Sequence, residues 1–415
     1  MYQLRHLRES RATSAALEHV ARGLGAEMLM RPGIRAAFAE AVEADPTFGY
    51  AHAGLAALDL VFGHRPQTNA AAAIAAADSA SDPERATIHL VDRCTRLPVA
   101  DRMAEARAHL EAYPDDLLAI ILAAASLQRG TVGPVTGVEM MESLLRAQGG
   151  HWWVKGLLAT WLVDVRRIRD AWRYANESLN DEPAAWHGAH AVAHLAYTAD
   201  DHRGGARWLE SWQVAHEPRG YARAHFAWHV ALGRLATGDT KAAADSMINV
   251  LTPNSPQAGV DSIELATASW LCLADGDSSL HLRVGEGVRR RAGKLVALPS
   301  AMRTVAAGML LAGAGCRSEL HQLASLASGS SSPTYRDVVV PLLHACEGLL
   351  DGDSTAVIAA LGVLAPDAVA QLGGSNAEQD VVERCLLYAM RRAMAATPPA
   401  PSQPASDTAP RVHAS

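Results

Sequence analysis

Residues 184–232 read AAWHGAHAVAHLAYTADDHRGGARWLESWQVAHEPRGYARAHFAWHVAL, and the spacing within them decides the fold. Two His-x-x-x-His pairs, His190/His194 and His225/His229, each stand seven and eleven residues after a proline, Pro183 for the first and Pro218 for the second. One structural position is therefore used twice, 35 residues apart. Side chains four apart lie on one face of an α-helix, one turn above the other, so each pair presents two imidazoles to the same space.

Outward from this stretch, apolar residues recur at three and four in segments broken by Asp45-Pro46, Asp82-Pro83, Tyr113-Pro114, Glu182-Pro183, Glu217-Pro218 and Thr252-Pro253. The prolines are 37, 31, 69, 35 and 35 residues apart, and the gap of 69 is two units. Proline fits the first turn of a helix, which needs no N–H from it. A period near 34 over residues 35–275 is that of tetratricopeptide hairpins, whose apolar faces are buried only by stacking on neighbours. Asp200, Asp201 and Gly204-Gly205 are expected in the turn of one unit, and Thr237-Gly238-Asp239 in the next. The usual small residue between helices is replaced by Trp228 in the second unit.

Composition agrees with an all-α chain. Alanine is abundant and only 5% of the 415 residues are aromatic, so the core has to be made by closely approaching helices. A net charge of −7 and one short basic run, Arg289–Arg291, give no general electrostatic reason to bind nucleic acid. The longest apolar run, Leu117–Leu127, is too short to span a bilayer, and the first thirty residues lack the apolar core of a secretory leader. Five scattered cysteines without CxxC spacing read as thiols in a reducing compartment. A cytoplasmic protein is expected. The organisation expected is an N-terminal helical arm without a strong cap (1–34), repeats including the histidine-rich centre (35–275), C-terminal helical repeats closing the superhelix (276–396) and a disordered tail (397–415). Gly373-Gly374 should break the chain, with Ser375 or Asn376 capping a helix to about Ala395.

The segments ADPTF (44–48) with Ala51-His52-Ala53, AHAVAH, HFAWHVAL with its Gly-Asp turn, RDVVVPL (336–342) and QLGGSNAEQDV (371–381) together resemble the tetratricopeptide repeat protein 38 family. The pieces come in the family's order and cover nearly all the chain except its tail. The resemblance implies a single α-superhelix with the first helix of each unit on the concave surface. It places His52, His89, His190, His194, His225, His229 and the segment from Gln371 through Asn376 to Asp380 at motif positions, and it brings no settled activity. Animal members have a His-Glu pair just after the first HxxxH, where this chain has Ala196-Tyr197, so a role needing that carboxylate is in doubt here.

On neighbouring first helices, the four histidines would converge in one groove. Three chemistries fit. Neutral imidazoles can ligate a divalent metal ion at about 2.0–2.1 Å. Imidazoles near their ordinary pKa of about 6.5 can act as general acid and base. The groove, with Arg223, can also recognise an anion. Against these stands a packing role in an Ala-rich interface. Eight of nine tryptophans surround the histidines, either filling gaps left by alanine or walling a pocket, with Trp186 and Trp228 nearest. The Gly373-Gly374 turn lacks the ending of a phosphate loop. The expectation is a small-molecule site with His190, His194, His225 and His229 as catalytic or metal-ligating residues. Its ligand contacts would be His52, His89, Trp186, Tyr197, Trp228, Gln371, Asn376 and Asp380. The alternative is a scaffold that takes a peptide or partner protein in its groove.

Overall fold

In the Asp-Pro-Thr-Phe of residues 45–48, the Phe48 N–H donates to the Asp45 carbonyl at 3.0 Å, closing a four-residue turn with proline second. Tyr113–Asp116 and Glu182–Ala185 repeat that bond at 3.1 and 2.8 Å. Proline presets φ at this position of a turn, so these prolines sit between helices rather than inside them. Pro83, by contrast, lies in a helix's first turn, behind a Ser81/Glu84 capping box.

The computed structural model describes residues 5–29, 31–62, 65–128, 133–147, 149–218, 221–250, 263–365 and 367–396. The Thr252-Pro253 break and the tail expected at 397–415 lie outside them. Among the described residues the chain is all-α: 21 α-helices and no strand. In order they are α1 (Ser14–Met28), α2 (Ile34–Ala44), α3 (Gly49–Phe62), α4 (Gln67–Ala75), α5 (Asp82–Arg96), α6 (Val99–Ala112) and α7 (Leu117–Gln128). Then come α8 (Pro134–Ala147), α9 (Trp152–Asp164), α10 (Ile168–Asp181), α11 (Trp186–Thr198), α12 (His202–His216), α13 (Tyr221–Ala236) and α14 (Thr240–Ile248). The last seven are α15 (Ile263–Ala274), α16 (Ser279–Arg289), α17 (Ala301–Gly313), α18 (Arg317–Ser328), α19 (Val340–Asp351), α20 (Ser354–Gly362) and α21 (Asn376–Ala396).

Sequential helices pack as hairpins, among them α3 with α4, α9 with α10, α13 with α14, α17 with α18 and α19 with α20. A second set of contacts joins helices two apart: α9 to α11, α11 to α13, α13 to α15, α15 to α17 and α17 to α19. The pairing thus continues past residue 275, where the proline period loosens. Glycines permit the closest approaches. A Cβ at Gly156 would lie 2.7 Å from the Gly188 nitrogen, and one at Gly205 would lie 2.5 Å from the Ala196 Cβ.

Two local expectations are corrected, and a third is narrowed to one of its two residues. The N-terminal arm does have a cap, because the Thr13 hydroxyl accepts the Ala16 N–H at 3.2 Å, and a short 3-10 turn, Arg5–Leu7, precedes it. Gly204 and Gly205 lie inside α12 rather than in the turn before it: Asp201 caps that helix, accepting the Gly204 N–H at 3.0 Å, and Gly205 lets α11 come close. Of the two caps expected for α21, Ser375 serves, in a reciprocal pair with Glu378 that follows left-handed Gly373 and Gly374.

The apolar interior forms two large clusters, one from Leu7 to Leu195 and the other from Ala227 to Ala393. A small aromatic cluster of Trp186, Leu209, Trp212 and Phe226 lies at the seam between α11 and α13. The histidine pairs lie on these same two helices. All five cysteines are free thiols, and no helix among the described residues is long and apolar enough to cross a membrane.

Candidate functional site

Helices α11 and α13 face each other across the seam and bring all four histidines together. His190 Nε2 is 2.9 Å from His194 Nε2 and 2.8 Å from His225 Nε2, and His225 Nε2 is 3.2 Å from His229 Nε2. One ring nitrogen from each histidine falls within 4.8 Å of all the others. His194, His225 and His229 are buried and His190 is half-buried. Trp186 stacks on His190 with ring centres 4.9 Å apart, while fully buried Trp228 packs at 4.8 Å on His229 and donates its indole N–H to Thr267 at 3.0 Å. Both indoles thus set ring positions as well as filling the seam.

A fifth residue escaped the sequence reading. Glu264, 2% exposed at the start of α15, has Oε1 2.7 Å from His225 Nδ1. The signal for it was present: one more step of 35 from His194 and His229 arrives at Glu264. Links of 39 residues, one repeat plus one helical turn, recur as His225–Glu264, Trp228–Thr267 and Trp270 to the Met309 carbonyl. Successive alternate helices therefore stack in register, and α15 supplies the carboxylate beside the histidines.

His194 also forms part of the wall of a cavity of about 500 Å³, with Tyr197, Asn376, Asp380, Arg166 and Arg384. The cavity lies where α9, α11 and α13 end and α21 begins. Asn376 ties α21 to α9, donating its backbone N–H to Asp164 Oδ1 at 3.1 Å and its side-chain amide to the Asp164 carbonyl at 3.0 Å. The Tyr197 hydroxyl donates to Asp380. Residues more than 180 positions apart in sequence thus share one wall.

Other expected contacts lie elsewhere. His52 on α3 bonds the Pro46 carbonyl at 3.0 Å, His89 on α5 is exposed, and Gln371 is exposed beyond the cavity wall. Trp186 and Trp228 pack on the imidazoles rather than line the cavity. Arg223 is exposed and bonds the Asn249 carbonyl, so it adds nothing to the histidine cluster. His187 is not among the converging four and packs at 4.5 Å on Trp186 and 5.5 Å on Trp153.

Electrostatics narrow the chemistry. Burial, reinforced by the neighbouring imidazoles, pushes His190 and His229 well below the usual histidine range, and burial with His225 lowers His194 to about 3. The imidazole near 6.5 required for proton shuttling is therefore not what these three offer, because the dry seam disfavours their charged forms. Neutral rings carry lone pairs suited to a cation. Burial, and then the bond to Asp380, raises Tyr197 above the ordinary phenol range, keeping it a hydrogen-bond donor. No family model matches the chain.

Proposed function

We propose that this is a tetratricopeptide-like solenoid, akin to the tetratricopeptide repeat protein 38 family, that binds a small polar organic molecule in the cavity beside the histidines. The observation that carries this reading is the cavity itself. Its wall combines Arg166 and Arg384 with Asp380, the Asn376 amide, the Tyr197 phenol and His194. Few, convergent polar groups of both signs in one concave space match a compact ligand with an anionic group and hydrogen-bonding hydroxyls or amines. The alternating contacts of helices two apart support the solenoid reading. A peptide scaffold needs a groove open along its length, whereas here the start of α21 is tied across the ends of α9 and α11.

The test is a thermal-shift screen of amino acids, hydroxy acids, sugars and nucleotides, with calorimetry on the hits. A compound should stabilise the wild type and bind Arg384→Gln and Asp380→Asn at least about tenfold more weakly, the effect of about 1.4 kcal/mol in lost contacts. If nothing in the panel binds, while a random-peptide display selects an extended motif on the folded protein, the scaffold reading replaces this one.

A further inference from the structure

We propose that His190, His194, His225 and His229 form a binding site for one divalent transition-metal ion, best suited to zinc, with Glu264 as its outer-sphere carboxylate. The argument begins with what an imidazole nitrogen can do. Each carries either one proton or one lone pair. Yet His190 Nε2 lies within 2.9 Å of two other ring nitrogens, and His225 Nε2 also has two close neighbours, at 2.8 and 3.2 Å. A single proton or lone pair cannot serve two linear partners at once, so hydrogen bonding alone leaves these contacts only partly satisfied. A cation at their common point takes a lone pair from every ring.

Dimensions agree. Metal–nitrogen bonds of about 2.0–2.1 Å in a tetrahedron put the nitrogens about 3.3–3.4 Å apart. The shortest contacts here fall a few tenths of an ångström inside that spacing and the widest, up to 4.8 Å, lie outside it, so rotation of the rings has to bring the four nitrogens to a common distance. Helical bundles likewise build metal sites from side chains that converge from facing helices. Glu264 completes the arrangement. A carboxylate only accepts, so the 2.7 Å contact places a proton on His225 Nδ1 and leaves the Nε2 lone pair facing the cluster. The carboxylate also offsets one of the two positive charges in a buried setting. All-imidazole donors select borderline ions such as zinc, cobalt or nickel over calcium or magnesium.

The experiment uses the full chain without a polyhistidine tag. Elemental analysis should find stoichiometric zinc. After chelation, cobalt(II) chloride should produce the visible bands of a four-coordinate nitrogen site, and zinc should erase them. His190→Ala should abolish the bands with the circular dichroism spectrum unchanged, and Glu264→Gln should weaken cobalt uptake by about 10–100-fold. Should His190→Ala fail to fold, Glu264→Gln and the wild-type titration decide the matter. A folded, chelated wild type that takes up neither ion in stoichiometric amount overturns the proposal, as does a folded His190→Ala with wild-type bands. Metal uptake needs no organic ligand, so either result leaves the cavity reading to its own test.

Discussion

Asp164, the last residue of α9, shows how a single carboxyl group is tuned by its place in the tertiary structure. Burial raises its pKa to about 6, against the opposing pull of the Asn376 N–H, with Glu378 adding to the rise. A raised carboxyl binds its proton more tightly in the folded state. Its contribution is thus fully present below the ordinary carboxylate range and is lost as pH rises through about 6. Asp164→Asn should remove roughly 1–3 kcal/mol of that pH dependence, read as a flatter urea-midpoint profile between acid and neutral pH. Asp116 behaves in the opposite sense. Although buried, it is held below the usual range by His6, His109 and Thr87, and it accepts Tyr50 OH at 3.1 Å and Thr87 Oγ1 at 2.6 Å. Asp116→Ala should cost about 3 kcal/mol or more, because Tyr50 and Thr87 lose their buried acceptor. Urea denaturation at neutral pH checks this.

At the scale of elements, what matters is how closely α9, α11 and α13 approach. Gly156→Ala sets a methyl group against the Gly188 backbone and the His187 Cβ at under 3 Å, so α11 has to move away. The expected cost is about 1–3 kcal/mol in stability. Since His190 and His194 ride on α11, cobalt uptake should weaken as well, a coupling that calorimetry and absorption can follow in one sample. The end of α21 nearest the cavity is set by the Ser375/Glu378 cap, and Ser375→Ala should cost about 1 kcal/mol. Faster hydrogen exchange confined to the first turn of α21 would report it.

For the whole molecule, α21 returns the chain to its middle. It packs against α15 and α20, and it buries Val381, Val382 and Cys385. Truncation before Gly374 should therefore expose apolar surface on α15, remove one wall of the cavity and lower the melting temperature. Hydrogen exchange should rise in α15 and in the last turns of α9 and α11, while α3 to α7 remain protected. A truncated chain with unchanged protection in α15 would show that this closure contributes nothing to its stability.

Several features were legible in residues alone. Helices follow from alanine content and three-four periodicity, turns from x-Pro pairs whose ring presets φ, and the facing of the histidine pairs from a 35-residue step. Glu264 was legible in the same arithmetic, but a lone carboxylate in an apolar segment carries no local motif. Other features had no local signature. The meeting of Asn376 with Asp164 and of Asp380 with Tyr197 depends on packing accumulated over the eleven and nine α-helices described between them, which no window of sequence encodes. The same holds for His52, His89 and Gln371, whose motif positions said nothing of distance from the cavity. Local spacing determines which face of a helix a side chain occupies, because the helical period is constant. Only the stacked whole decides which distant face it meets, because each small packing angle adds to the last.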